Sequence, residues 1–103
     1  MPVLQSHIDK ALEIAIRFGA TKVMLFGSVL EDMEKANDLD IAVLGIDDSK
    51  FLLFGGTLDV ELGIPVDIVP LSINSPFVEY IKKRGRYIYD SWRFAGIDWN
   101  RKG

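Results

Sequence analysis

Between residues 22 and 44 an apolar run, a Gly-Ser pair, an acidic loop and an aspartate-bearing apolar run follow one another, and no other feature constrains the chain as much. Lys22–Phe26 (Lys-Val-Met-Leu-Phe) reads as a short buried strand. Gly27-Ser28 then turns the chain into a short helix or loop, and such a turn offers backbone N–H groups to phosphate. Leu39–Leu44 reads as a second strand, its apolar flanks alternating with Asp38 and Asp40. Carboxylates at i and i+2 of a strand point the same way, with Cα atoms about 6–7 Å apart, and can hold a divalent cation between them. A third acid, Asp67, stands in the strand-like run Val66-Asp67-Ile68-Val69. A phosphate cradle beside metal-holding carboxylates reads as a metal–nucleotide site.

The surrounding chain supplies cover for such strands. Leu4, Ile8, Ala11, Leu12, Ala15 and Phe18 fall at helical spacing, from about Ser6 to a stop at Gly19. Asp47-Asp48-Ser49 resembles a cap before a helix over 51–62, which Gly55-Gly56 should weaken by about 1 kcal/mol per glycine. Gly63-Ile64-Pro65 is a turn, and Val66–Leu71 is a third strand. Ser75-Pro76 has the form of a helix start, leading into 77–84 with Gly85 as its stop. Arg86–Tyr89 is a fourth strand at the sheet edge. This alternation predicts an α/β domain, a mixed four-stranded sheet with helices packed on it.

The 103 residues suffice for one domain. The chain has no run of eighteen apolar residues, so no membrane span is expected. It lacks the regions of a signal peptide at its start and has no cysteine, and the simplest location is cytoplasmic. Residues 1–78 carry five Lys/Arg against twelve Asp/Glu, whereas 79–103 carry seven against three. The overall charge of −3 disfavours direct nucleic-acid binding. The tail over 90–103 sets Trp92, Phe94 and Trp99 beside Arg93, Arg101 and Lys102, a composition that suits either interface anchors or the domain's own core.

Each site residue also has a plain structural reading. Ser28 with Glu31 fits a capping box, Gly27 a turn needing positive φ, and Asp38 a turn after Asn37. Asp67 fits an exposed strand position. Their succession in one order favours a single site: Asp67, on a neighbouring strand, would complete a three-carboxylate cluster able to support two metal ions. His7, the sole histidine, reads as a surface residue, and Tyr80, Tyr87 and Tyr89 as core or edge packing.

Phe26-Gly27-Ser28, nine residues, then Asp38-Leu39-Asp40-Ile41-Ala42-Val43 resembles the signature of the nucleotidyltransferase superfamily that includes DNA polymerase beta. The short chain and its ending Ile81-Lys-Lys-Arg-Gly-Arg-Tyr-Ile-Tyr89 are similar to the minimal nucleotidyltransferases, the MNT proteins found as antitoxins beside HEPN-domain partners. The likeness covers most of residues 4–89. It implies a single domain with the polymerase beta palm-like fold, in which Gly27 and Ser28 contact nucleotide phosphates. It also implies that Asp38 and Asp40 bind magnesium, and that Asp67 binds the metal at the attacking oxygen and assists its deprotonation. The implied cofactor is Mg2+ in a two-metal site, and the implied substrate is ATP. The implied reaction transfers AMP to a tyrosine of a HEPN toxin, blocking its RNase activity, in a hetero-oligomer with the toxin or as a homodimer.

The loop after Gly-Ser departs from the family pattern. Val29 and Leu30 stand where a basic residue is common, and Glu31, Asp32 and Glu34 follow, leaving Lys35 as the loop's one cation for the phosphates. That departure motivates a second reading, a non-catalytic antitoxin acting by occlusion. A third reading is a subunit that modifies a small molecule of the antibiotic type.

Overall fold

The computed structural model describes residues 2–91. The tail aromatics Trp92, Phe94 and Trp99 lie outside the described residues. The elements are α1 (Gln5–Arg17), β1 (Lys22–Phe26), α2 (Ser28–Glu31), β2 (Leu39–Leu44), α3 (Asp48–Leu62), β3 (Val66–Pro70), α4 (Pro76–Arg84) and β4 (Arg86–Asp90). Their order is the one read from the sequence, and β1 and β2 have the bounds expected there. Strand β3 ends one residue earlier than expected, at Pro70, while β4 runs one residue further, to Asp90.

The strands form a four-stranded mixed sheet in the order β3-β2-β1-β4. Strand β1 is antiparallel to both β2 and β4, and β2 is parallel to β3. The parallel pair needs a crossover connection, which α3 supplies. Helices α1 and α3 cover one face, burying Ile14, Phe54 and Leu58 against Val23, Leu25, Ile41 and Val43. Helix α4 covers part of the other, setting Val78 and Ile81 on Met24 and Ala42.

Local chemistry explains the helix ends. The Asp47 carboxylate accepts the Ser49 N–H at 2.9 Å, and the Ser75 hydroxyl accepts the Val78 N–H at 3.2 Å. At α1 the Leu4 N–H donates to His7 Nδ1 at 2.9 Å, which gives the sole histidine a capping role. Helix α3 runs unbroken through Gly55-Gly56, where Gly55 faces Ile68 of β3. Packing on the sheet thus overrides the local weakness of the glycine pair. Tyr89 packs half-buried against the core, as expected. Tyr80, on α4, departs from expectation at 55 % exposed, while Tyr87 lies 44 % exposed on edge strand β4. These two sit under cations, Arg84 at 5.0 Å and Lys22 at 5.7 Å from the respective ring centroids.

Two leucines of α3 test this account of the core. Leu58 is fully buried, whereas Leu52 is 90 % exposed. Leu58→Ala should cost about 2–5 kcal/mol in urea denaturation, and Leu52→Ala should stay within about 0.5 kcal/mol. Equal costs would contradict the assigned faces of α3.

Candidate active site

The register of the sheet builds the site. Phe26 of β1 pairs with Asp40 of β2, and Asp40 pairs with Asp67 of β3. Residues opposite one another in adjacent strands project to the same face, with strands about 4.8 Å apart. Phe26, Asp40 and Asp67 therefore form one row across the sheet. The next row, Met24, Ala42 and Val69, lies on the same face, the face that α4 covers.

Gly27 adjoins this row with φ 79° and ψ −155°, a conformation suited to glycine. A Cβ at Gly27 would run into the carboxylate of Asp40, so the Gly-Ser turn lies directly against the central acid. Gly27 also occupies the N-cap of α2, with no side-chain capping bond, and Ser28 is the first helical residue. The capping box expected for Ser28 and Glu31 does not form, because the glycine takes the cap position. Val29 is buried and anchors the turn, while Gly27 and Ser28 are exposed.

The three acids are not equivalent. Strand β1 ends opposite Asp40 and β3 begins opposite Leu39, whose N–H donates to the Pro65 carbonyl at 3.0 Å. Asp38 therefore stands before the start of β2, exposed, rather than on the strand as the i, i+2 pattern predicts. Asp40 and Asp67 come together across the parallel pair. Among the described residues no group of three acidic, histidine or cysteine side chains is arranged to hold a metal ion. The expected three-carboxylate cluster is thus represented by a close pair, with Asp38 near enough to act on Asp40 through its charge.

Burial, the charge of Asp67, a hydrogen bond shared with Asp67 and the charge of Asp38 together push the Asp40 carboxyl from its ordinary 3.8 up to about 6. Crowded oxygen ligands of this kind fit a hard divalent cation, whose charge would relieve their repulsion. Asp40 and Asp67 could hold the ion, with Asp38 adding its charge from just before β2.

The phosphate side has a different character. Helix α2 has 4 residues, too short for a large macrodipole. Glu31, Asp32, Glu34 and Lys35 are all exposed. The Lys35 N–H donates to the Asp32 carbonyl at 3.1 Å, and its side chain makes no ion pair with a described residue. A groove of about 440 Å³ opens beside Gly27, lined by Phe26, Glu31, Phe77, Tyr80 and Arg84 among others. Lys35 does not line it. The contribution of α4 was missed in the sequence. Its one signal is the basic last turn of a helix placed after the third acid.

Asp40 links the site to stability. Its raised pKa favours folding below about pH 3.8, and that contribution is lost as pH rises through about 6. With divalent ions chelated, Asp40→Asn should therefore raise the melting temperature above about pH 7, and this gain should shrink below about pH 4. A gain independent of pH, or a loss at neutral pH, would contradict the crowded carboxylate pair.

The polymerase beta, nucleotidyltransferase family model matches residues 10–93, a span that takes in Gly27, Ser28 and all three aspartates. No curated protein sequence matches the chain. Among solved structures, a chain of the toxin–antitoxin complex MntA–HepT is 20% identical, with a TM-score of 0.66 over 91% of this chain and 79% of that chain. A complex of tri-AMPylated Shewanella oneidensis HEPN toxin with MNT antitoxin gives 21% identity and a TM-score of 0.67, over 90% of this chain and 77% of the other. A toxin–antitoxin structure with AMP-PNP gives 24% identity and a TM-score of 0.65, over 92% and 80%. At these identities the likeness carries the fold. With the family match extending through the carboxylate row and the Gly-Ser turn, the chain belongs to the polymerase beta nucleotidyltransferase family.

Proposed function

We propose that this protein is a magnesium-dependent nucleotidyltransferase that moves AMP from ATP to a tyrosine hydroxyl of a partner HEPN-type toxin, and so acts as an antitoxin. The observation that carries the reading is the Asp40–Asp67 pair with Gly27 set against it. The structural neighbours with an AMPylated HEPN toxin and with AMP-PNP support the choice of acceptor and donor.

The roles follow from position. Asp40 and Asp67 would hold magnesium, with Asp38 contributing its charge nearby, and the ion when bound would offset the negative charge of carboxylates and phosphates. Gly27 and Ser28 present backbone N–H and hydroxyl groups to the phosphates, and Lys35 is the cation the α2–β2 loop can offer. Asp67 is exposed on edge strand β3, where a bulky acceptor can approach, and it takes the acceptor's proton. A bond forms between the acceptor oxygen and the α-phosphorus, and the bond to the α,β-bridging oxygen breaks, releasing pyrophosphate. The chain's own contribution is positioning and charge.

The exposed Glu31, Asp32 and Glu34 favour a second reading, neutralisation of the partner by binding alone. A mixture of the chain, the candidate toxin, magnesium and ATP labelled at the α-phosphate separates the two. Label should appear on a toxin tyrosine, and Asp40→Ala and Asp67→Ala should each lower its transfer about 100-fold or more. Full neutralisation by the double variant with no label transferred by the wild type would overturn the enzyme reading.

A further inference from the structure

We propose that Arg84, at the end of α4, holds the terminal phosphates of the nucleotide in the groove beside Gly27. This assignment rests on the nucleotidyl-transfer reading above and adds a residue to it. Arg84 lines the same groove as Gly27, although the two are far apart in sequence. It is exposed and makes no ion pair with a described residue, whereas Lys82 on the same helix pairs with Glu79 at 3.6 Å.

Its position is set by packing. Gly85 follows it, and a Cβ there would lie 2.8 Å from the Leu25 carbonyl oxygen, so the chain presses against β1 just before Gly27. The guanidinium lies 5.0 Å from the centroid of the Tyr80 ring, one turn back along α4. That contact limits the conformations of the long side chain before any ligand arrives.

The direction of the reaction supplies the rest. An in-line displacement puts the attacking and leaving oxygens on opposite sides of phosphorus. If attack comes from the side of Asp67, the leaving pyrophosphate lies toward β1, Gly27 and the groove. Among the described residues Arg84 is the cation lining that groove, and Glu31 is the acid it must outweigh. A guanidinium can bind phosphate oxygens through two parallel N–H donors.

The test compares magnesium-dependent binding of ATP, pyrophosphate and AMP to the wild type and to Arg84→Met, Arg84→Lys and Tyr80→Leu by calorimetry. Arg84→Met should weaken ATP and pyrophosphate about 10-fold or more, and AMP less than about 2-fold. Arg84→Lys should recover part of the loss, and Tyr80→Leu should show a smaller loss with the same ligand pattern. Unchanged ATP binding in Arg84→Met, or equal losses for ATP and AMP, would overturn the assignment while leaving nucleotidyl transfer intact. A wild type that binds no magnesium–ATP would overturn the reading beneath it, and this assignment with it. Melting temperatures within a few degrees of the wild type should accompany the variants, because residue 84 is exposed.

Discussion

The parallel pairing of β2 with β3 forces Asp40 and Asp67 side by side, and the rest of the site is arranged around that repulsion. The pairing follows from the core. Leu39, Ile41 and Val43 must face α1 and α3, so Asp40 must face the other way. A one-residue slip of β2 would turn Asp40 into the core beneath α1 and α3 and take Leu39, Ile41 and Val43 out of it. The hydrophobic pattern that folds the sheet therefore also fixes the acids on one face. That face is covered by α4 over Met24 and Ala42, while Asp67 stays exposed on the neighbouring edge strand.

From this row the site extends in two unlike directions. Toward β3 it is acidic and open at the sheet edge, as suits a cation and a large acceptor. Toward β1 it passes Gly27 and enters a groove made by α2 and α4, with aromatic walls and the guanidinium of Arg84. The acids of the α2 segment point the electrostatics of that side against a polyphosphate, and basic groups must come from elsewhere in the fold. Two close approaches of backbone, at Gly27 over Asp40 and Gly85 over Leu25, bring the far-apart pieces together. The same requirement explains why each position lacks a side chain.

Much of this was legible in the sequence because its signals are local. Strands β1 and β2 are bounded by Gly27 and Gly45, α3 and α4 are announced by Asp47 and Ser75, and acid alternation marks β2. What failed depended on partners distant in sequence. The alternation places Asp38 on the face of β2 with Asp40, yet β1 ends at Phe26 and β3 starts at Val66, leaving nothing for residue 38 to pair with. The Ser28–Glu31 spacing also fits a capping box, yet the backbone of Gly27 takes the cap position and leaves Ser28 as the first helical residue. The weakness expected of α3 at Gly55-Gly56 is outweighed by its packing on the sheet. The basic last turn of α4 is a local sign of Arg84, but its placement beside Gly27 depends on the β1–β4 pairing and on the approach of Gly85 to β1, which join pieces distant in sequence.

We propose that the cation site is the Asp40–Asp67 pair rather than the acidic segment after Gly27-Ser28. Titration with Mn2+ in place of Mg2+, followed by loss of backbone amide NMR signals, tests it directly. The signals of Gly27, Asp40, Ile41 and Asp67 should disappear first and together. Initial loss centred on Glu31, Asp32 and Glu34, with Asp40 and Asp67 unaffected, would contradict it.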